Sequence, residues 1–238
     1  EGYWLLSERT NGQFASQAYH IEAMENGLRV VAPTSPVLSR GDTLNRPTIT
    51  IEFLAVSPEV ISVRAWHYEG YRTGEARFEK KETTCDAVVT ITENEAVLDA
   101  GRVSVHVDRK NWGYSFWADG KLLTSSGFHN LGYVRWDRSV SSMLPQDNYM
   151  KEHEYTPYMT QDLLLAPGEN VYGFGERFTA FVKNGQVVET WNEDGGTASQ
   201  VAYKNIPFYM TNRGYGVFVD HTGNVSFEVA SEKVEYVG

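Results

Sequence analysis

The sequence predicts an all-β fold of antiparallel strands. Apolar and polar residues alternate with period two along most of the chain, turn residues cluster at short spacing between these segments, and helical periodicity is almost absent. At 238 residues, with 41% apolar and 13% aromatic content, the chain is long enough to bury a core. The expected form is one large domain of two packed sheets, an antiparallel β-sandwich.

The segments follow in order. Leu28–Ala32 comes first, and Thr48–Phe53 then sets Ile49, Ile51 and Phe53 on one face against Thr48, Thr50 and Glu52 on the other. Ile61–Ala65 repeats the pattern, Ala87–Thr92 follows, and Val103, Val105 and Val107 alternate with Ser104, His106 and Asp108. Tyr114–Trp117 runs into Asp119-Gly120 and out through Lys121–Leu123, which predicts a tight hairpin. Further strands are expected at Thr160–Leu165, Asn170–Phe174, Phe208–Thr211, Gly216–Val219, Val225–Val229 and Lys233–Val237. Two stretches break the rhythm and read as long loops. Asp137–Pro157 is polar, with Tyr149, Tyr155 and Tyr158 to tie it down; Phe178–Tyr203 carries Gly185, Gly195, Gly196, the acids Glu193-Asp194 and Trp191. Its aromatic content argues against disorder, so a function is expected there.

Charge and composition exclude several classes. With 21 basic against 31 acidic residues the net charge is −10, which repels nucleic acid and anionic lipid surfaces. No apolar run approaches a membrane span, and Glu1–Leu38 lacks the pattern of a secretion signal. The single cysteine, Cys85, permits no internal disulfide and fits a reducing cytoplasm. The six histidines (His20, His67, His106, His129, His153 and His221) show no metal-ligand spacing, so no metal or other cofactor is expected. His106 reads as a solvated surface residue and His67 as a hydrogen-bonded core residue.

Gly173-Phe174-Gly175 lacks the third glycine and following helix of a dinucleotide site and reads as a β-bulge. No G-x-S-x-G elbow is present for a serine nucleophile. Glycoside hydrolysis needs two carboxylates straddling a sugar, which the neighbours Glu193 and Asp194 do not supply. Their loop can instead hydrogen-bond sugar hydroxyls while Trp191 offers a flat apolar face, or it can be a solvated turn with Trp191 packed inward.

Four ordered motifs carry a resemblance: Tyr172-Gly173-Phe174-Gly175-Glu176-Arg177-Phe178, Asn184-Gly185-Gln186, Trp191-Asn192-Glu193-Asp194-Gly195-Gly196-Thr197, and Tyr203-Lys204-Asn205-Ile206-Pro207-Phe208-Tyr209. Together they resemble the N-terminal β domain of glycoside hydrolase family 31, most of all its bacterial α-xylosidase branch. The resemblance implies a galactose-mutarotase-like β-sandwich (supersandwich) over residues 1–238, ahead of a catalytic (β/α)₈ barrel that this chain lacks. The family's two catalytic aspartates lie on that barrel, so no catalytic residue is expected here and the chain alone is expected to be inactive. It further implies that Asp194 belongs to the subsite that receives the leaving group, with Trp191, Asn192 and Glu193 as looser candidates; Glu193 stands where relatives commonly carry Arg. The implied partners are an α-xyloside or α-glucoside oligosaccharide and the barrel of the same polypeptide, with self-association through an exposed apolar patch as a further expectation. Glu176 and Arg177 read as structural, bonding loop backbone or facing the barrel. Tyr203, Phe208 and Tyr209 read as core or interdomain packing.

Two rivals stay open. An aldose mutarotase-like epimerase would need a histidine acid and a carboxylate base, for which His67 and Glu52 are the pair to test. A freestanding carbohydrate-binding module would stack sugar on an exposed Trp191, Trp136 or Trp117.

Overall fold

A computed structural model describes residues 10–44, 46–68, 78–79, 85–137, 155–191 and 204–238. Among them every regular element is a β-strand except one 3₁₀ turn, Arg40–Thr43, and all strand pairs are antiparallel. Among the described residues no helix is long and apolar enough to cross a membrane.

The chain divides into two compact units, each with its own core. The larger takes Tyr3–Glu69 and Thr83–Gln161; the smaller takes Glu1–Gly2, Gly70–Glu82 and Asp162–Gly238. Within the larger unit, β1 (Thr10–Phe14) pairs with β11 (Leu131–Asp137), which pairs with β12 (Tyr155–Gln161). A four-stranded sheet joins β2 (His20–Met24), β3 (Gly27–Pro33), β4 (Thr48–Ser57) and β5 (Val60–Trp66) in chain order. A five-stranded meander joins β6 (Val88–Ile91), β7 (Glu95–Asp99), β8 (Val103–Asp108), β9 (Gly113–Ala118) and β10 (Lys121–Ser126).

Alternation places this core. Leu28, Val30 and Ala32 on β3 lie opposite Phe53, Ile51 and Ile49 on β4, and all six are fully buried. Ala96 and Leu98 on β7 lie opposite Val107 and Val105 on β8 in the same way. The two sets join in one cluster, where the Phe53 ring meets Tyr114 of β9 edge-on at 5.0 Å. The hairpin from β9 to β10 turns at Asp119 (φ 50°) and Gly120 (φ 72°), both left-handed as a two-residue turn of this twist requires.

The smaller unit holds β13 (Leu163–Leu164), β14 (Val171–Glu176), β15 (Gln186–Glu189), β16 (Lys204–Thr211), β17 (Gly216–Phe218), β18 (Ser226–Val229) and β19 (Tyr236–Val237). They form two sheets, β13-β19-β18-β15 and β14-β16-β17. Its core is built from Leu165, Val171, Phe174, Val188, Tyr209, Phe227, Val229 and Val237.

Several expectations change in detail. In place of two sheets, the described strands make five. The predicted Thr160–Leu165 strand is interrupted at Asp162, where β12 ends and β13 begins, and Lys233–Val237 shortens to β19 because turn residues precede it. Strands β1, β2, β7, β11 and β15 were not among the predicted segments. The last of these corrects the reading of 178–203 as a single loop, since Gln186–Glu189 pairs along its length with β18. Likewise the expected Asp137–Pro157 loop gives up both ends to strands; its residues 138–154, including Tyr149, lie outside the described residues.

Candidate functional site

The site predicted around Asp194 is approached from both of its flanks. Asn192, Glu193 and Asp194 lie outside the described residues, as does Tyr203. Trp191 and Lys204 bound that segment, and what holds them starts at a bulge in β14.

Gly173 (φ 117°), Phe174 (φ 67°) and Gly175 (φ 86°) are three consecutive left-handed residues, and the β14–β16 register shifts between Gly173 and Gly175. This is the bulge that the two glycines predict. Glycine is demanded by contact as well as by φ: a Cβ on Gly175 would lie 2.0 Å from the Lys204 carbonyl oxygen, and one on Gly173 would lie 2.7 Å from that of Phe208. The bulge sends Phe174 fully into the core, where its ring packs 4.7 Å from Phe227 and 5.8 Å from Tyr209.

Beyond it, Arg177 turns inward as the centre of a clamp. Its Nε donates to the Phe174 carbonyl at 3.3 Å, and its Nη2 donates to the Glu189 carbonyl and to the Asn205 side-chain oxygen. Asn205 in turn donates through Nδ2 to the Trp191 carbonyl at 3.3 Å. One guanidinium therefore links the end of β15, the start of β16 and the bulge of β14. Burial pushes its pKa below the ordinary arginine value, opposed by the nearby Glu189 carboxylate, and it keeps its charge. Thr190 fixes the near side: its backbone N–H and its hydroxyl both donate to the Val225 carbonyl, at 2.9 and 3.0 Å. Trp191 follows directly with its side chain 43% exposed. Both flanks of 192–203 are thus tied to each other through side-chain amide and guanidinium hydrogen bonds.

Arg177 was expected to bond loop backbone or face the barrel; the carbonyls it bonds belong instead to strand residues, Phe174 of β14 and Glu189 of β15. Asn205, by contrast, received no role of its own from the sequence, and its only signal was a place in the fourth motif. Glu176 makes a solvent-exposed ion pair with Lys204 at 3.5 Å, an arrangement that contributes little.

The other proposed residues sit elsewhere. Glu52 is 7% exposed and its carboxylate is taken by Arg29, which donates to it from Nε at 2.9 Å and Nη2 at 2.7 Å. Glu22, Arg29, Glu52 and Arg64 face one another in register across β2, β3, β4 and β5. His67 is half-buried, a correction to its reading as core: its Nδ1 lies 2.9 Å from the Thr48 carbonyl and its ring packs on Tyr133 at 4.3 Å. Glu52 and His67 therefore have separate partners. His106, expected to be solvated, is half-buried between Glu95 (2.7 Å) and Ser104 (3.0 Å) beside an open groove of about 530 Å³ in the larger unit. Of the three tryptophans proposed to stack sugar, Trp117 and Trp136 are half-buried and Trp191 is exposed.

Comparison with known proteins gives a consistent set of relatives. Residues 49–228 match the family model of the glycosyl hydrolase 31 N-terminal galactose mutarotase-like domain. An alpha-xylosidase, XylQ, from Lactiplantibacillus pentosus is 39% identical over 99% of this chain and 29% of its own length. An alpha-xylosidase from Emericella nidulans is 34% identical over the whole chain and 31% of its own length. Among solved structures, a GH31 dextranase of Flavobacterium johnsoniae complexed with isomaltotriose superimposes on 94% of this chain and 25% of its own, with a TM-score of 0.68 at 17% identity. The chain spans about three-tenths of the length of the curated relatives it matches.

Proposed function

This chain belongs to the glycosyl hydrolase 31 N-terminal galactose mutarotase-like domain family, and on that premise we propose that it is the non-catalytic N-terminal part of a retaining α-xylosidase or related α-glucosidase. Its architecture in that reading is the galactose-mutarotase-like supersandwich, its setting the cytoplasm, and its substrate an α-xyloside or α-glucoside oligosaccharide. The segment 192–203 completes the leaving-group subsite, with Asp194 accepting hydrogen bonds from vicinal sugar hydroxyls and Trp191 covering an apolar ring face. A separate catalytic barrel supplies the nucleophile and the acid/base, so aglycone preference can vary on this chain without disturbing the bond-breaking carboxylates.

The observation that carries the proposal is the clamp. A loop that binds sugar must present its groups with little conformational freedom, and Arg177 and Asn205 hold both flanks of the segment on rigid strands. The names of the relatives supply the substrate class, and a lone, buried, reduced Cys85 suits a cytoplasmic setting.

The test is domain replacement. The 238-residue chain alone should give no hydrolysis of p-nitrophenyl α-xyloside, and a chimera in which it replaces the matching part of XylQ should hydrolyse it. Turnover by the isolated chain, or a folded chimera without activity, contradicts the reading.

A further inference from the structure

The groove beside His106 is lined by residues of four successive strands, β7 to β10, and of the turns that precede β7 and β9. Its volume of about 530 Å³ lies within the roughly 300–1,000 Å³ of small-molecule sites. Register builds a polar row in it: His106 of β8 lies opposite Ser115 of β9, which lies opposite Ser125 of β10. Alternation sends these three to the face opposite the buried Val105, Val107, Tyr114 and Thr124. The row is braced from behind. His106 Nδ1 lies 2.7 Å from the Glu95 carboxylate and Nε2 lies 3.0 Å from the Ser104 hydroxyl, and Trp117 Nε1 donates to Ser115 Oγ at 2.8 Å. The two turns are braced as well. The Arg109 N–H donates to the Asn94 carbonyl at 2.9 Å and its Nη1 to the Thr92 carbonyl, while Asp108 Oδ1 accepts from the backbone N–H groups of Lys110 and Asn111 at 2.8 and 2.9 Å.

This frame leaves polar groups unspent. Among the described residues the Asn94 amide, the Lys110 ammonium, the Ser125 hydroxyl and Glu95 Oε2 have no hydrogen-bond partner. Trp112, in the lining of the same groove, carries two further costs: a bulky residue at φ 60°, and a buried indole N–H that nothing accepts, on a side chain 4% exposed. Strain and unpaired donors of this kind collect at ligand sites, where rigid surroundings hold them ready. We propose that this groove binds a neutral oligosaccharide. Sugar hydroxyls both donate and accept, and here carboxylate and hydroxyl oxygens stand beside amide, hydroxyl and ammonium hydrogens. Glu95 and Asp108 outweigh Lys110 in charge, and the chain as a whole carries −10, so an anionic ligand is disfavoured. A mostly polar lining disfavours an apolar one, and an open groove admits a chain of sugar units. The site lies wholly within the larger unit, and its reading does not depend on that of segment 192–203.

The indole N–H groups are local reporters, because Trp112 lines the groove and Trp117 braces it, whereas Trp191 borders segment 192–203. The 238-residue chain would be titrated with maltotriose and followed by ¹H–¹⁵N NMR, with the indole resonances assigned through their backbone amides. The expected result is saturable movement of the Trp112 and Trp117 indole signals with a Kd of about 1 mM. Asn94→Ala with Lys110→Ala, both exposed positions, should weaken binding at least about tenfold and leave the thermal midpoint within a few degrees, while Asp194→Ala leaves the Kd unchanged. Movement confined to the Trp191 signal, or a Kd that responds to Asp194→Ala and not to the groove pair, assigns the sugar to segment 192–203 and overturns the inference. No movement of the Trp112 and Trp117 signals up to about 20 mM maltotriose also overturns it. Tighter binding of spermine than of maltotriose at the same signals would make the groove a cation site and contradict the neutral ligand.

Discussion

Arg177 is the residue on which the local geometry turns. Its fork reaches three acceptors on three strands or their ends, and a part-buried carbonyl such as that of Glu189 has few alternatives once the donor is removed. Arg177→Ala should therefore destabilise the chain by about 2–4 kcal/mol in denaturant unfolding. Arg177→Lys should recover less than half of that loss, since one ammonium cannot serve acceptors arranged for a planar fork. A loss below about 0.5 kcal/mol for the alanine variant would show that the clamp is not needed to hold the strands. The sequence made part of this legible: Arg177 reads as a structural residue and its guanidinium does bond backbone carbonyls, although it stands just past the end of β14 and not inside the strand. Asn205 was not legible, because an asparagine in a strand carries no local sign of which amide it will bridge.

Among the elements, strong alternation with β-branched or aromatic residues was read correctly. Val103–Asp108 is bounded as expected, and the Asp119-Gly120 hairpin has the two left-handed residues that its dipeptide predicts. Some of the strands that escaped are short or mixed. β15 has only Val188 fully inside, and β2 presents no fully buried residue, so neither shows the repeated apolar face that makes a strand visible in sequence. β7 is different: Ala96 and Leu98 alternate cleanly, yet alanine contributes too little contrast to announce it. The β14 bulge was predictable from its glycines and now has a stricter requirement attached. Gly175→Ala would place a methyl 2.0 Å from the Lys204 carbonyl oxygen at a positive φ, so β14 and β16 must separate. The expected cost is about 3 kcal/mol, read as a lowered denaturation midpoint with faster amide exchange across β14 and β16. Unchanged exchange there would contradict the assigned register.

At the scale of the whole molecule, the chain forms two compact units and matches a family to which the sequence motifs already point. The number of sheets was beyond the sequence, because period-two alternation reports that a face is buried and not which sheet buries it. The central claim is that Asp194 gives this chain a direct part in choosing the leaving group. The most direct measurement is kcat/KM for Asp194→Ala in the active XylQ chimera, across several α-xylosides that differ only in the aglycone. The account predicts a loss of about 1–3 kcal/mol in transition-state binding for sugar aglycones, and little change for p-nitrophenyl, which lacks the vicinal hydroxyls. Equal kcat/KM for variant and parent across every sugar aglycone would contradict it.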